Sequence, residues 1–393
     1  MDLYLQAGFN AQVMCRELLS DWGGGTVILS PRDANISDLT NYSQQMRDAG
    51  GSVLLDPQMF RADSNYERLT DHEHWYVDLD SDVNAALVGL RNINSSLETR
   101  AVILPGRYVD LNGLPAWIDQ QRAVTEASAD VLEGKDRWAT ICMGAEVVRN
   151  RQPISRIADV ATTWNVDGYY VVAEPPANQY LVSDALWLSN LISFLAGIKL
   201  TGRKVVLGYA HQQMLIAAAA NIDAIASGNF KNVRSFGVDK FFVGDDDAMA
   251  RQAPYFYSPR TLSEYPISSL DLAQQVGMLD DLRLSVEFQN SYSDILFTGA
   301  QPSTVDYKLA RSWRHFLRAL RVQATSARKE TFRDTTAGLE LQMAEAISAH
   351  ESLSGVGVLP ATGRDFSEVA NTGKAALRIL ERQRGFVLDR RWL

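Results

Sequence analysis

The chain has 393 residues, of which 46% are hydrophobic and 22% charged, and it carries a formal net charge of −9; this composition excludes a disordered or fibrous protein. Two cysteines, Cys15 and Cys142, exclude a disulfide framework or a four-cysteine metal site and point to a reducing, cytoplasmic compartment. No run has the roughly 18 apolar residues of a membrane span, Leu186 to Leu200 reading as a buried helix, and no secretory signal opens the sequence.

In chain order, residues 1–240 alternate short apolar runs with amphipathic stretches. The runs read as strands are LYLQAGF, TVILSPRD, SVLLDPQMF, AVILPGRY, WATICMG, GYYVVAEPP, KVVLGYAH and DAIASGNF. Between them VMCRELLSDW, DLTNYSQQMRDAG, VNAALVGLRNINSSL, PAWIDQQRAVTEASADVLEG, ISRIADVATTWN, ALWLSNLISFLAGIKL and QQMLIAAAAN read as helices. Eight buried parallel strands over about 240 residues predict an α/β fold, a (β/α)8 TIM-like barrel. No glycine-rich dinucleotide fingerprint follows the first strand, which argues against an open doubly wound sheet.

After the barrel, GDDDAMARQAPYFYSPRTLSEYP reads as a connector and ISSLDLAQQVGMLDDLRLSVEF as helical, together spanning 241–305. Residues 306–393 are expected to form a small, basic α-helical C-terminal domain. From Lys308 onward there are 15 Lys and Arg against 9 Asp and Glu, leaving 23 against 38 before it, so the tail is about +6 and the body about −15. Leu309, Trp313, Phe316, Leu317 and Leu320 share one side of the first tail helix. Arg311, Arg314, Arg318 and Arg321 lie three or four apart on other faces and are expected to form a phosphate-binding stripe for nucleic acid, the alternative being an ordinary surface of unbalanced charge.

A barrel places its chemistry where strands end. The polar residues there include Gln6, Arg32, Asp33, Asp56, Gln58, Arg107, Glu174, His211, Gln212, Asn229 and Arg234. Asp56, Glu174 and His211 are the candidate catalytic groups for proton handling or nucleophilic attack; Asp33, Gln58, Arg107, Gln212, Asn229 and Arg234 are the candidate substrate contacts. Pro175 and Pro176 stop a helix from starting after Glu174 and fix its carboxylate at a strand end. The five histidines show no metal-ligand spacing, and no Gly-x-Ser-x-Gly elbow is present, so neither a metal nor another cofactor is expected.

Four segments between residues 50 and 237 resemble, in order, the tRNA-guanine transglycosylase superfamily. LLDPQMF lies where that family has Asp before Ser-Gly-Gly-Phe-Gln, WATICMG where it has a strand ending in Gln-Gly-Gly, and VDGYYVVAEPP where it has an Asp-Gly-Tyr strand. LGYAHQQMLIAAAANIDAIASGNFKNVRSFG lies where it has a glycine-ending strand, a Pro-initiated helix, Gly-Val-Asp and a final strand. The resemblance implies a (β/α)8 barrel that exchanges a purine base in tRNA or DNA for a 7-deazaguanine, with Asp56 as the proton-handling carboxylate. The family's nucleophilic aspartate falls at Ala226, its base-reading glycines fall at Met143-Gly144-Ala145 and Val172-Ala173, and its three-cysteine zinc site has no counterpart. Two classes follow. One is a base-exchange or glycosyl-transfer enzyme with Glu174 as replacement nucleophile; the other is an inactive subunit that binds nucleic acid or partner proteins, as a homo- or hetero-oligomer.

Overall fold

The eight expected runs form eight staves of one parallel sheet: β1 (Asp2–Gln6), β2 (Gly25–Leu29), β3 (Gly51–Leu55), β4 (Val102–Ile103) with β5 (Tyr108–Val109), β6 (Arg137–Met143), β7 (Gly168–Ala173), β8 (Lys204–Leu207) and β9 (Ala224–Ser227). The computed structural model describes residues 1–61, 67–75, 82–241 and 253–392. β4 and β5 are two pieces of one stave. Both pair with β6, and Pro105 between them has no N–H to continue the ladder. The spatial order runs β3-β2-β1-β9-β8-β7-β6-β4, and Arg100 N–H donates to Val53 O across the remaining gap at 3.0 Å. The result is a TIM-like (β/α)8 barrel.

Around it lie α1 (Gln12–Trp22), α2 (Ile36–Asp48), the single turn α3 (Glu67–Thr70), α4 (Val83–Leu97), α5 (Leu114–Val131), α6 (Ala145–Arg149), α7 (Arg151–Ala161) and α8 (Ala185–Lys199). Side-chain caps start several of them: Asn35, Asp82 and Asp184 each accept a backbone N–H of the first turn. The alanine-rich stretch between β8 and β9 is a 3-10 helix, Gln212–Ala220, with every residue buried. Among the described residues up to 241, β9 is followed by 3-10 turns and no α-helix. An inserted hairpin, β10 (Tyr255–Ser258) and β11 (Ser263–Pro266), and helix α9 (Ile267–Gln275) come first. The hairpin lies inside the stretch expected to be a connector, where YFYS and SEYP alternate around a turn.

The ring is completed by α10 (Leu309–Ala327), which packs against β1 and the alanine-rich helix, and by α11 (Phe332–Ser354) and α12 (Ala370–Arg391). Phe316, Leu317 and Leu320 of α10 share one continuous core with Leu3 and Leu5 of β1, so the boundary expected at 306 divides elements that are buried together. Burying each such side chain contributes about 2 kcal/mol. The alanines keep the inner helix thin. α12 runs along α8 and crosses α11 so closely that a Cβ on Gly373 would stand 2.6 Å from Met343 Sδ. No helix among the described residues is long and apolar enough to cross a membrane.

The expected basic stripe turns inward, because α10 serves as a barrel helix. Arg314 pairs with Glu17 of α1 at 2.6 Å, Arg321 lies over the Trp22 ring and donates to Gly24 O, and Arg311 donates to Ser291 O. Arg318 has a buried Nε. None of the four is exposed. In place of a nucleic-acid face they form a seam that docks α10.

Candidate active site

Strand alternation decides which residues face the barrel axis. Tyr4, Ile28, Leu54, Cys142, Tyr170, Val172, Val206 and Ala226 form an inner core separate from the outer one. Two residues further along the same faces come Gln6, Ser30, Asp56, Glu174, Gly208 and Gly228, which make up the last inward layer at the strand ends.

Asp56 is fully buried there and its carboxylate is met by four donors. Gln58 N–H donates to Oδ1 at 3.0 Å; Tyr209 OH, Tyr170 OH and Gln6 Nε2 reach Oδ2 at 2.9, 3.1 and 3.5 Å. Tyr170 fits because Gly208 faces it: a Cβ on Gly208 would stand 2.6 Å from the phenol oxygen. Burial outweighs the donors and raises the Asp56 pKa to about 6. Burial and the Asp56 charge raise both tyrosines, so they remain neutral donors. Gln58 and Tyr209 have φ of 54° and 53°, the left-handed region that non-glycine residues avoid.

Glu174 stands on the next inward face. Tyr108 OH donates to its Oε2 at 2.6 Å and Val238 N–H to its Oε1 at 3.0 Å. Gly144 leaves the space that the Tyr108 phenol occupies. Both carboxyls act on the Cys142 thiol, raising its pKa beyond the effect of burial alone, so they share this end of the barrel. Phe60, Phe236 and Phe241 pack edge-on and stacked over Tyr209, and Arg32 ties the covering segment down through Lys240 O at 2.7 Å. Residues 230–241 thus form a cover over the two carboxyls.

The other candidates fall into place around this centre. Gln58 accepts from Ser30 OH at 2.8 Å and donates to Tyr209 OH at 3.4 Å. Arg107 donates to Met59 O. The side chain of Asp33 lies outside the described residues. Asn229 is buried and donates to Phe9 O, joining the ends of β9 and β1. Gln212 accepts from Tyr180 OH and donates to Leu262 O, which makes it a brace to the hairpin.

His211 hydrogen-bonds to the backbone after it and to neither Asp56 nor Glu174. Its Nδ1 accepts from Gln213 N–H and starts the alanine-rich helix, and burial together with the charges of Arg234, Arg364 and Lys231 lowers its pKa to about 3. Neutral at every physiological pH, it is unsuited to the proton exchange expected of it. Arg234 is buried as well, paired with Glu264 at 3.4 Å and stacked 3.6 Å over Phe316. Among the described residues no group of three or more His, Cys, Asp or Glu is placed to hold a metal ion.

Sequence reading found both carboxyls but missed Tyr108, Tyr170 and Tyr209, which saturate them. The available signal was the pairing of inward tyrosines with inward glycines on facing strands.

No family model matches the chain, and no curated protein matches it. Among solved structures it is similar to an uncharacterized conserved protein from Geobacillus kaustophilus at 13% identity and TM-score 0.35, over 58% of this chain and 90% of that one. It is also similar to the 3-dehydroquinate dehydratase of Aquifex aeolicus, at 10% identity and TM-score 0.35 over 62% and 99% of the two chains. A third is the N-acetylneuraminate lyase of Mycoplasma synoviae, at 9% identity and TM-score 0.32 over 97% of each chain.

Proposed function

We propose that the protein is a cytoplasmic enzyme of the base-exchange or glycosyl-transfer kind, acting on a purine-like base of nucleic acid at the Asp56–Glu174 end of the barrel. The observation that carries this reading is the Asp56 carboxyl, wholly buried under neutral donors with its pKa raised to about 6. A carboxyl so poised gives and takes a proton near neutral pH. Two left-handed residues, Gln58 and Tyr209, hold its donors, and strain of this kind concentrates where a geometry is needed.

The chemistry follows from the two carboxyls. The Glu174 carboxylate attacks the sugar C1′ as the C1′–N bond to the base breaks, and the departing base takes its proton from Asp56. The incoming base then returns a proton to Asp56 as its nitrogen attacks C1′ and expels Glu174. Tyr108 OH steadies the Glu174 carboxylate throughout. The cover formed by residues 230–241 must lift for this, starting with the Val238 N–H bond to Glu174.

A second reading, a subunit that binds without catalysing, is favoured by Ala226. It is fully buried in the inner core, at the position where the resemblance puts a nucleophile.

The test incubates the protein with tRNA or DNA and a labelled 7-deazaguanine and follows incorporation of label. Asp56→Asn and Glu174→Gln are each expected to lower the rate at least ~100-fold, and a covalent nucleic-acid adduct is expected to disappear with Glu174→Gln. Incorporation untouched by both substitutions overturns the enzyme reading; binding without incorporation supports the second.

A further inference from the structure

The Tyr170 hydroxyl has one proton and two acceptors for it. Its oxygen stands 3.0 Å from Gln6 Oε1 and 3.1 Å from Asp56 Oδ2, and all three side chains are buried. While Asp56 is ionised, the carboxylate is the stronger acceptor and takes the bond.

A proton arriving at Asp56 changes this arrangement. Oδ1 is closed to it, because the Gln58 backbone N–H, a donor only, already points there at 3.0 Å. The proton therefore goes to Oδ2, which becomes a donor and needs an oxygen whose own proton can turn away. Tyr209 OH does not offer one: Gln58 Nε2 donates to it at 3.4 Å, and its acceptor among the described residues is Asp56 itself. Tyr170 OH does, because Gln6 Oε1 is within reach. The hydroxyl turns from Asp56 to Gln6 and no heavy atom has to move. Two glycines fix the distances, Gly208 by making room for the Tyr170 phenol and Gly228 by letting β9 close on the Gln6 backbone.

The other titratable groups at this end of the barrel are Tyr209, Cys142 and Glu174. The two phenols and the Cys142 thiol stay neutral, since burial and the carboxyl charges raise all three. The cations nearest the cover, Arg32, Arg107 and Lys240, donate to the backbone carbonyls of Lys240, Met59 and Ser235. Burial and hydrogen bonds, rather than a neighbouring charge, set the proton affinity of Asp56.

We infer that Gln6 is a positioning residue for proton transfer at Asp56: its Oε1 receives the Tyr170 O–H bond when Asp56 is protonated and releases it when Asp56 ionises. In the reaction, Asp56 gives its proton to the departing base as the Tyr170 O–H swings back onto the new carboxylate. The inference rests on the reading of Asp56 as the proton-handling group, but its test needs no substrate.

The test follows the infrared carbonyl band of protonated Asp56 in the full chain, as the difference from the same chain carrying Asp56→Asn. Tyr170→Phe removes a donor from the carboxylate and is expected to raise the midpoint of the band by about one pH unit, a tenfold gain in proton affinity. Gln6→Leu leaves the Tyr170 proton without its second acceptor when Asp56 is protonated, and is expected to lower the midpoint by about one unit. An amide that only donates to Asp56, or only fills space, would move the midpoint up or not at all, so the sign separates the roles. In a chain already carrying Tyr170→Phe, the fall caused by Gln6→Leu should vanish. Because Gln6 is buried, a second measurement keeps the native core: with ring-labelled tyrosine, the C–O stretch that is missing from Tyr170→Phe should shift at the Asp56 midpoint. A midpoint raised or unmoved by Gln6→Leu, a fall that persists without Tyr170, or a Tyr170 stretch indifferent to pH overturns the switch. Base exchange untouched by Asp56→Asn, with the midpoints shifting as expected, overturns the catalytic reading and leaves the switch standing.

Discussion

Two buried polar clusters, around Asp56 and around Glu264, are built on opposite principles. At Asp56 a single negative charge is surrounded by neutral donors, and the protein accommodates it by raising its pKa to about 6. At Glu264 two arginines enclose the carboxylate, Arg364 at 2.6 Å and Arg234 at 3.4 Å, and Arg364 is itself stabilised as a cation. The first cluster can exchange a proton without rearrangement. The second is a closed set of ion pairs, which suits it to holding the hairpin to the segment after β9 and to the strap between α11 and α12.

The sharpest way to break this contrast is to remove each carboxylate and compare stability. Glu264→Ala leaves Arg234 and Arg364 without a counter-charge and is expected to cost about 3–5 kcal/mol by urea unfolding at pH 7. Asp56→Asn removes a charge that burial disfavours, and it is expected to be neutral or to stabilise by about 2 kcal/mol at the same pH. Equal losses in the two variants would mean that the clusters are the same kind of device.

The pH dependence follows with its sign. His74, His211 and His315 are held neutral by burial, with pKa values lowered to about 3, 3 and 4, so their contribution to stability is lost as pH falls below the unfolded value near 6.5. Asp56 works the other way. Its raised pKa makes the native state bind the proton more tightly, and stability is regained as pH falls from about 6 towards 4. Near pH 5 these four groups leave the unfolded chain with about two extra protons, a slope of about 3 kcal/mol per pH unit. Asp56→Asn should steepen it to about 4.

Gly208→Ala places a methyl group against the Tyr170 phenol, and about 1–3 kcal/mol of overpacking is expected. Displacement of that phenol also withdraws a donor from Asp56, so the pH dependence of unfolding should shift in the same variant. The smallest effects are expected in the seam. Arg314→Gln loses a partly exposed pair with Glu17, worth about 0.5–1 kcal/mol, and should leave any salt dependence of nucleic-acid binding unchanged.

The staves of the barrel and the first cluster were legible because both obey period two. Short apolar runs mark each strand, and Asp56 and Glu174 continue the inward face by parity. The second cluster was not legible. Glu264 stands in a stretch that reads as a connector because of its prolines and aspartates, Arg364 lies 100 residues further along the chain, and neither follows a strand of the barrel. The arginines of α10 misled for a related reason: a 3.6-residue period reveals which residues share a face but not what that face meets. Here it meets α1, because α10 fills a gap in the helical ring that the alanine-rich segment is too thin to close.

The claim on which the account stands is that Asp56 changes protonation near neutral pH within the folded barrel. The infrared carbonyl band of a protonated carboxyl, taken as the difference between the unmodified protein and Asp56→Asn across a pH titration, measures this directly. The account predicts a band present at pH 5, half lost near pH 6 and absent by pH 7.5. A carboxyl already ionised at pH 5 would contradict it.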